Sequence, residues 1–132
     1  MRYRILREMT SGEGEARVVR DWLQGLPIVT QFVFKEQFRT LEQTVQPSRD
    51  DLKPLPGGKC DGLWEIRMKC KVQKIQWRPI GFYGPGKGQF TVVYVSRMQN
   101  NEFDPPSTCK TAQSRRKQVE ANAALSEELS YE

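Results

Sequence analysis

GLWEIRMKCK, residues 62–71, sets Trp64, Ile66, Met68 and Cys70 on one side of an extended chain and Glu65, Arg67, Lys69 and Lys71 on the other. Strict period-two alternation marks a strand with one buried and one solvated face, because successive side chains of an extended chain point to opposite sides. Two more β-like runs follow, Ile75 to Tyr83 and Gln89 to Met98, joined by GPGKG at 84–88, whose glycines and proline signal a hairpin. The same glycines do not make a phosphate loop, since no helix follows them. Pro79 cannot donate to a ladder, so a bulge or an unpaired stretch is expected there.

Upstream of this block the period changes. RYRILREM (2–9) alternates and predicts a first strand. GEARVVRDWLQGLP (14–27) spaces Ala16, Val19, Leu23 and Leu26 by three and four, predicting a short helix stopped by Gly25 and Pro27. Phe34, Phe38, Leu41 and Val45 extend that spacing into a second helix over 28–46, before a Pro/Gly loop at 47–58. Downstream, Pro105 and Pro106 precede a helix capped by Ser107 or Thr108, with Ala112, Val119 and Ala123 facing inward. The closing SEELSYE reads as a frayed acidic tail. The order β-α-α-β-β-β-α predicts an α+β fold: a small antiparallel sheet with an N-terminal helix pair and a C-terminal helix, residues 1–124 forming one domain and 125–132 a flexible tail.

Composition narrows the chemistry. With 132 residues, 37% of them hydrophobic, the chain has material for one modest core, and no apolar run reaches the roughly 18 residues of a membrane span. Nor does the arginine-bearing start read as a secretory signal, so a soluble cytoplasmic protein is expected. Histidine is absent, which removes imidazole acid-base chemistry, His-dependent nucleophile pairs and His-ligated zinc. Neither a disulfide framework nor a metal clip fits the spacing of Cys60, Cys70 and Cys109, so reduced, packed thiols are expected. From Lys53 to Lys117 the chain carries 13 Lys and Arg against four acids, a net +9, while the remainder is net −4. A polyanion suits that segment; solvated strand faces are the plainer account of the same charge.

Two stretches, LKPLPGGKCDGLWEIRMK and QFTVVYVSRMQNNEFDPPSTCKTAQSRRKQV, resemble the phage-derived HigB branch of the RelE/HigB-like toxins, ribosome-dependent mRNA endonucleases of type II toxin-antitoxin systems. The matching positions are Lys53, Pro54 and Leu55, then Gly62 to Arg67, then Arg78 with Phe82 and Tyr83, then Val92 to Arg97, and finally Pro105, Pro106, Arg115, Arg116 and Lys117. The resemblance implies a RelE-like fold, an mRNA and ribosome target, and a cognate antitoxin of the HigA-like helix-turn-helix kind. Where family members place lysines after the third strand of this block, this chain reads Arg97-Met98-Gln99-Asn100-Asn101, and Pro79 interrupts the middle strand. The alternative expectation is therefore a phage-related protein that binds nucleic acid or protein without cleaving.

Metal-free RNA cleavage by a ribose 2′-OH needs a base, an acid for the leaving 5′-oxygen, and cations for the crowded phosphate. Arg67 and Arg78 are the candidate phosphate grips, since a guanidinium fork holds two oxygens and stays charged. Lys53 and Lys59 are the candidate bases. The resemblance adds Arg97 to the catalytic set, since it ends the apolar strand where the family keeps a basic residue. RNA-binding candidates are Lys69, Lys71, Tyr83, Arg115, Arg116 and Lys117, with Tyr83 or Phe103 placed to stack on a base. Glu65 reads as a cross-strand ion-pair partner. No metal or cofactor is expected. Cleavage requires these cations to converge on one sheet surface; scattering, or neutralisation by carboxylates, counts against it.

Overall fold

A computed structural model describes residues 1–12, 16–72 and 74–131. In chain order its elements are β1 (Ile5–Met9), α1 (Val18–Gln24), α2 (Ile28–Gln43), β2 (Leu52–Pro54), β3 (Trp64–Ile66), β4 (Gln76–Tyr83), β5 (Gln89–Gln99), β6 (Glu102–Asp104), α3 (Thr108–Ala121) and β7 (Ser126–Glu128). A 3-10 turn at Gly58–Cys60 lies between β2 and β3. The strands form one sheet in the order β2-β3-β4-β5-β1-β7, with β6 paired to the far end of β5.

Alternation in the central strands divides the apolar residues between two faces. On one face Leu6, Leu52, Ile66, Met68, Phe90 and Val92 meet Val19 and Leu23 of α1 and Phe34, Phe38 and Leu41 of α2. On the other, Leu63, Ile80, Phe82 and Val93 meet Cys109, Ala112 and Val119 of α3. Helices thus cover both faces. Glu8, almost fully buried in β1, positions the start of α1: its carboxylate accepts from the Val19 and Arg20 backbone N–H groups at 2.9 and 3.0 Å and from Arg17 Nε at 3.2 Å. A carboxylate at a helix start satisfies N–H groups that have no partner within the helix.

The expected bulge lies one residue past Pro79. Register between β4 and β5 shifts at Ile80/Gly81, so Val93 is the extra residue and joins the α3 side. Gly81 sits where the strands crowd: a Cβ there would lie 2.4 Å from the Thr91 carbonyl oxygen and 2.6 Å from the Phe90 ring. Gly81→Ala is expected to cost about 1–3 kcal/mol through overpacking, read from urea unfolding.

The antiparallel sheet with a helix pair before it and a helix after it is not what forms. The sheet is mixed, because β1 runs parallel to β5 (Ile5 against Gln89 through Glu8 against Val92) while its other edge pairs antiparallel with β7. α3 lies opposite α1 and α2 rather than ending the fold, and β7 follows it. The physical reason is that alternation fixes which face a residue occupies but not the direction of its neighbour. Nor is the segment from 125 a free tail: β7 pairs with β1, Leu129 is buried, and Tyr131 donates its hydroxyl to buried Glu42 at 2.8 Å. Burial and that carboxylate push the Tyr131 phenol far above its ordinary range. Glu132, and the Gly14-Glu15 opening of the first predicted helix, lie outside the described residues.

Smaller differences follow the same logic. The 62–71 strand contracts to Trp64–Ile66: the Arg67 and Met68 backbone N–H groups still donate to the Asp51 and Trp77 carbonyls, but at Lys69 the side chain of Gln37 in α2 binds both the N–H and the C=O in place of a strand partner. Met68 and Cys70 still pack on the α1/α2 side. Ala123 falls beyond α3 and is exposed. Cys60 and Cys109 form a disulfide, correcting the expectation of reduced thiols; Cys70 is free. Spacing of 49 residues says nothing of a loop folded back onto a helix. Among the described residues no helix is long and apolar enough to cross a membrane.

Candidate functional site

One corner of the α3-side face collects polar residues that alternation turns away from the α1/α2 core. Glu65 on β3 lies opposite Ile80, whose side chain packs beneath α3, and Lys53 of β2 lies opposite Glu65. Arg78 of β4 lies opposite Ser96 of β5. Arg67, two residues past Glu65, returns to the same face.

Glu65 is 2% exposed and has a guanidinium on each side. Arg67 Nε stands 3.5 Å from Oε1, and Arg78 Nε stands 3.4 Å from Oε2. Arg67 also reaches exposed Asp50 at 3.9 Å, while Arg78 donates to the Trp77 carbonyl at 3.1 Å and to Gln76 Oε1 at 3.4 Å. Burial lowers the Arg78 pKa from its ordinary value; Glu65 opposes that shift and Arg67 adds to it. Among the described residues neither guanidinium Nε, nor Glu65 Oε2, has a hydrogen-bond partner, so the contacts are electrostatic and imperfectly aligned. A depression of about 300 Å³ opens over the cluster, bordered by Asp50, Lys69 and Gln76 as well as by the two arginines. Arg67, with 31% of its side chain exposed, is the guanidinium that faces it. The cluster can hold an anion in the depression, and it contains a carboxylate oxygen without a donor.

The structure therefore brings together Arg67 and Arg78, with Lys53 on the neighbouring strand. The other candidates lie elsewhere. Arg97 is opposite Trp77, which packs against the α1/α2 core, so it projects from the reverse face; there it pairs with Asp104 at 2.7 Å. Lys59 is held against α3, where Gln113 Nε2 donates to its carbonyl at 3.2 Å. Lys69 Nζ is 3.0 Å from Asp51, and Lys71 occupies an exposed turn. Tyr83 stands edge-on to Trp64 and Phe90, at 5.3 and 5.1 Å between centroids, on the α1/α2 side and away from the arginine pair. Phe103 packs at the border of the α3 core.

On α3, Arg115 turns inward, donating to the Val93 carbonyl at 2.9 Å over the Tyr94 ring. Arg116 lies over Phe82, bonds the Asp61 carbonyl at 3.3 Å and pairs with Glu120 at 3.5 Å. Gly62, at φ +77°, leaves the space Arg116 occupies: a Cβ would sit 2.3 Å from its Nη1. Lys117 points into a groove with Lys59 and Lys110. Sequence reasoning passed over Lys110, although its spacing of seven from Lys117 puts both on one helix face.

Comparison of the chain with protein-family models, with curated proteins and with solved structures finds no match in any of the three.

Proposed function

We propose that the protein acts on RNA as a RelE/HigB-like toxin: a cytoplasmic, ribosome-dependent mRNA endonuclease, restrained by a helix-turn-helix antitoxin. The observation supporting this is the convergence of Arg67 and Arg78, eleven residues apart, at one open depression; the carboxylate of Glu65 between them neutralises part of their charge and counts against cleavage. In this reading Arg67 swings onto the scissile phosphate and Arg78 stays to balance Glu65. That movement uncovers Glu65 Oε1, the oxygen Arg67 faces, to take the 2′-OH proton. The 2′-oxygen bonds to phosphorus, the P–O5′ bond breaks, and the 5′-oxygen leaves with a proton taken from water, giving a 2′,3′-cyclic phosphate and a 5′-hydroxyl. Glu65 replaces Lys59 as candidate base, since Lys59 lines the groove with Lys110 and Lys117 and not the depression at the arginine pair; Lys53, beside Glu65 in register, is the other candidate.

A second reading, RNA binding without cleavage, has its own observation. Arg67, Arg78, Lys69 and Arg97 all have carboxylate partners, which spends much of their charge. Primer extension on message from a translation reaction separates the two. Cuts are expected with the unaltered protein, reduced about 10²–10³-fold by Arg67→Ala, the size of losing one transition-state donor. Uncut message at high protein excess rejects cleavage, and salt-sensitive binding to the intact message then selects the second reading.

A further inference from the structure

We propose that the groove between α3 and the Gly58–Cys60 turn holds the phosphate backbone of single-stranded RNA, with Lys59, Lys110 and Lys117 as its cations. Lys110 and Lys117 lie seven residues apart, two helical turns, and so stand on one face of α3 about 10 Å apart along the axis. Lys59 forms the facing wall. The Cys60–Cys109 bond, with Cα atoms 5.1 Å apart, and Gln113, which bonds the Lys59 and Asp61 carbonyls at 3.2 and 2.7 Å, keep that wall in place. The concavity between them measures about 420 Å³, and Gln113 and Ser114 complete its lining.

Charge distinguishes these lysines from their neighbours. Among the described residues none of the three has a carboxylate within ion-pair distance, while Glu120, on the same helix, is taken by Arg116. Arg115 and Arg116 are spent on carbonyls and aromatic rings inside the fold. Three ammonium groups held without compensation repel one another, and a polyanion relieves the repulsion. No aromatic ring lines the groove, so it has nothing on which to stack a base, and ammonium groups read phosphates without regard to sequence.

Continuity with the arginine cluster selects an RNA strand over an acidic peptide. Thr108, the first residue of α3, bonds Ser96 at 2.6 Å, and Ser96 is the register partner of Arg78. The start of α3, the helix that carries Lys110 and Lys117, thus lies one strand away from the cluster, and an RNA strand long enough to span both can run from the arginines along that helix. The proposal rests on the reading of this protein as one that acts on RNA, and it holds whether or not it cleaves.

Fluorescence anisotropy with a labelled single-stranded RNA oligonucleotide, titrated with salt, tests it. For the full chain carrying Lys59→Ala, Lys110→Ala and Lys117→Ala, the slope of log affinity against log salt should become shallower by about 2, at about 0.7 per phosphate contact. The triple Lys→Arg variant should keep the original slope. An unchanged slope in the alanine variant overturns the groove, as does loss of binding to polyglutamate with RNA binding intact. If the alanine variant binds normally while Arg67→Ala abolishes cutting, the groove fails and the functional reading stands. If the unaltered protein neither binds nor cuts RNA, both fail.

Discussion

Replacing Cys60 and Cys109 together with serine, or reducing their bond, lowers the unfolding free energy by about 2–4 kcal/mol. The bond joins residues 49 apart, and for a closed loop near that length the chain-entropy account gives about 4 kcal/mol, the top of the usual range. What it joins magnifies the effect. Cys109 is buried in the same small core as Ile80, Phe82, Val93, Ala112 and Val119, so the bond fixes the loop leading into β3 to the helix that covers that face. Urea unfolding with and without reductant should show a lower midpoint, and heating a melting temperature lower by on the order of 10 °C. Coincident curves would mean that packing alone holds α3. In a reducing cytoplasm the protein would have the stability of its thiol form, so this measurement also sets how stable it is where the proposed function places it.

How much the sequence tells depends on whether a feature is periodic or a matter of pairing. Trp64, Ile66, Met68 and Cys70 all pack on the α1/α2 side, and Glu65 on the other, as alternation requires. The spacing of Phe34, Phe38 and Leu41 places α2, and Pro79 locates the bulge to within a residue. Pairing is another matter. Nothing in RYRILREM records that β1 runs parallel to β5, and three-residue strands such as β2, β6 and β7 are too short to show a period. At the site, the sequence names Arg67 and Arg78 and reads Glu65 as a cross-strand ion-pair partner, which its pairing with Arg78 across β3 and β4 bears out. What it does not show is the burial of that pair, because a charged residue on an alternating strand reads as solvated until a covering helix is known. The same blindness leaves Arg97 among the candidates when Asp104, its partner across the β5–β6 pair, already holds it.

Glu65→Ala is the substitution expected to cost most, about 3–5 kcal/mol, since removing one member of a buried ionic cluster strands the others. Arg78 would keep only the Trp77 carbonyl and the Gln76 amide as partners, and Arg67 only exposed Asp50. The pairing itself need not be worth that much: its Nε contacts, at 3.4 and 3.5 Å, are poorly aligned, and dehydrating three charges offsets most of their attraction. Glu65→Leu with Arg78→Leu should therefore recover most of the loss, leaving Arg67 to turn outward, and a double-mutant cycle in urea gives the coupling directly. A cost for Glu65→Ala below about 1 kcal/mol would place the cluster in water, contrary to its burial. Arg67→Ala, which removes the exposed guanidinium and leaves Glu65 paired with Arg78, is expected to fold nearly as well as the parent while losing cleavage. Such a split between stability and activity would separate a guanidinium that serves RNA from a carboxylate that also holds the sheet corner together.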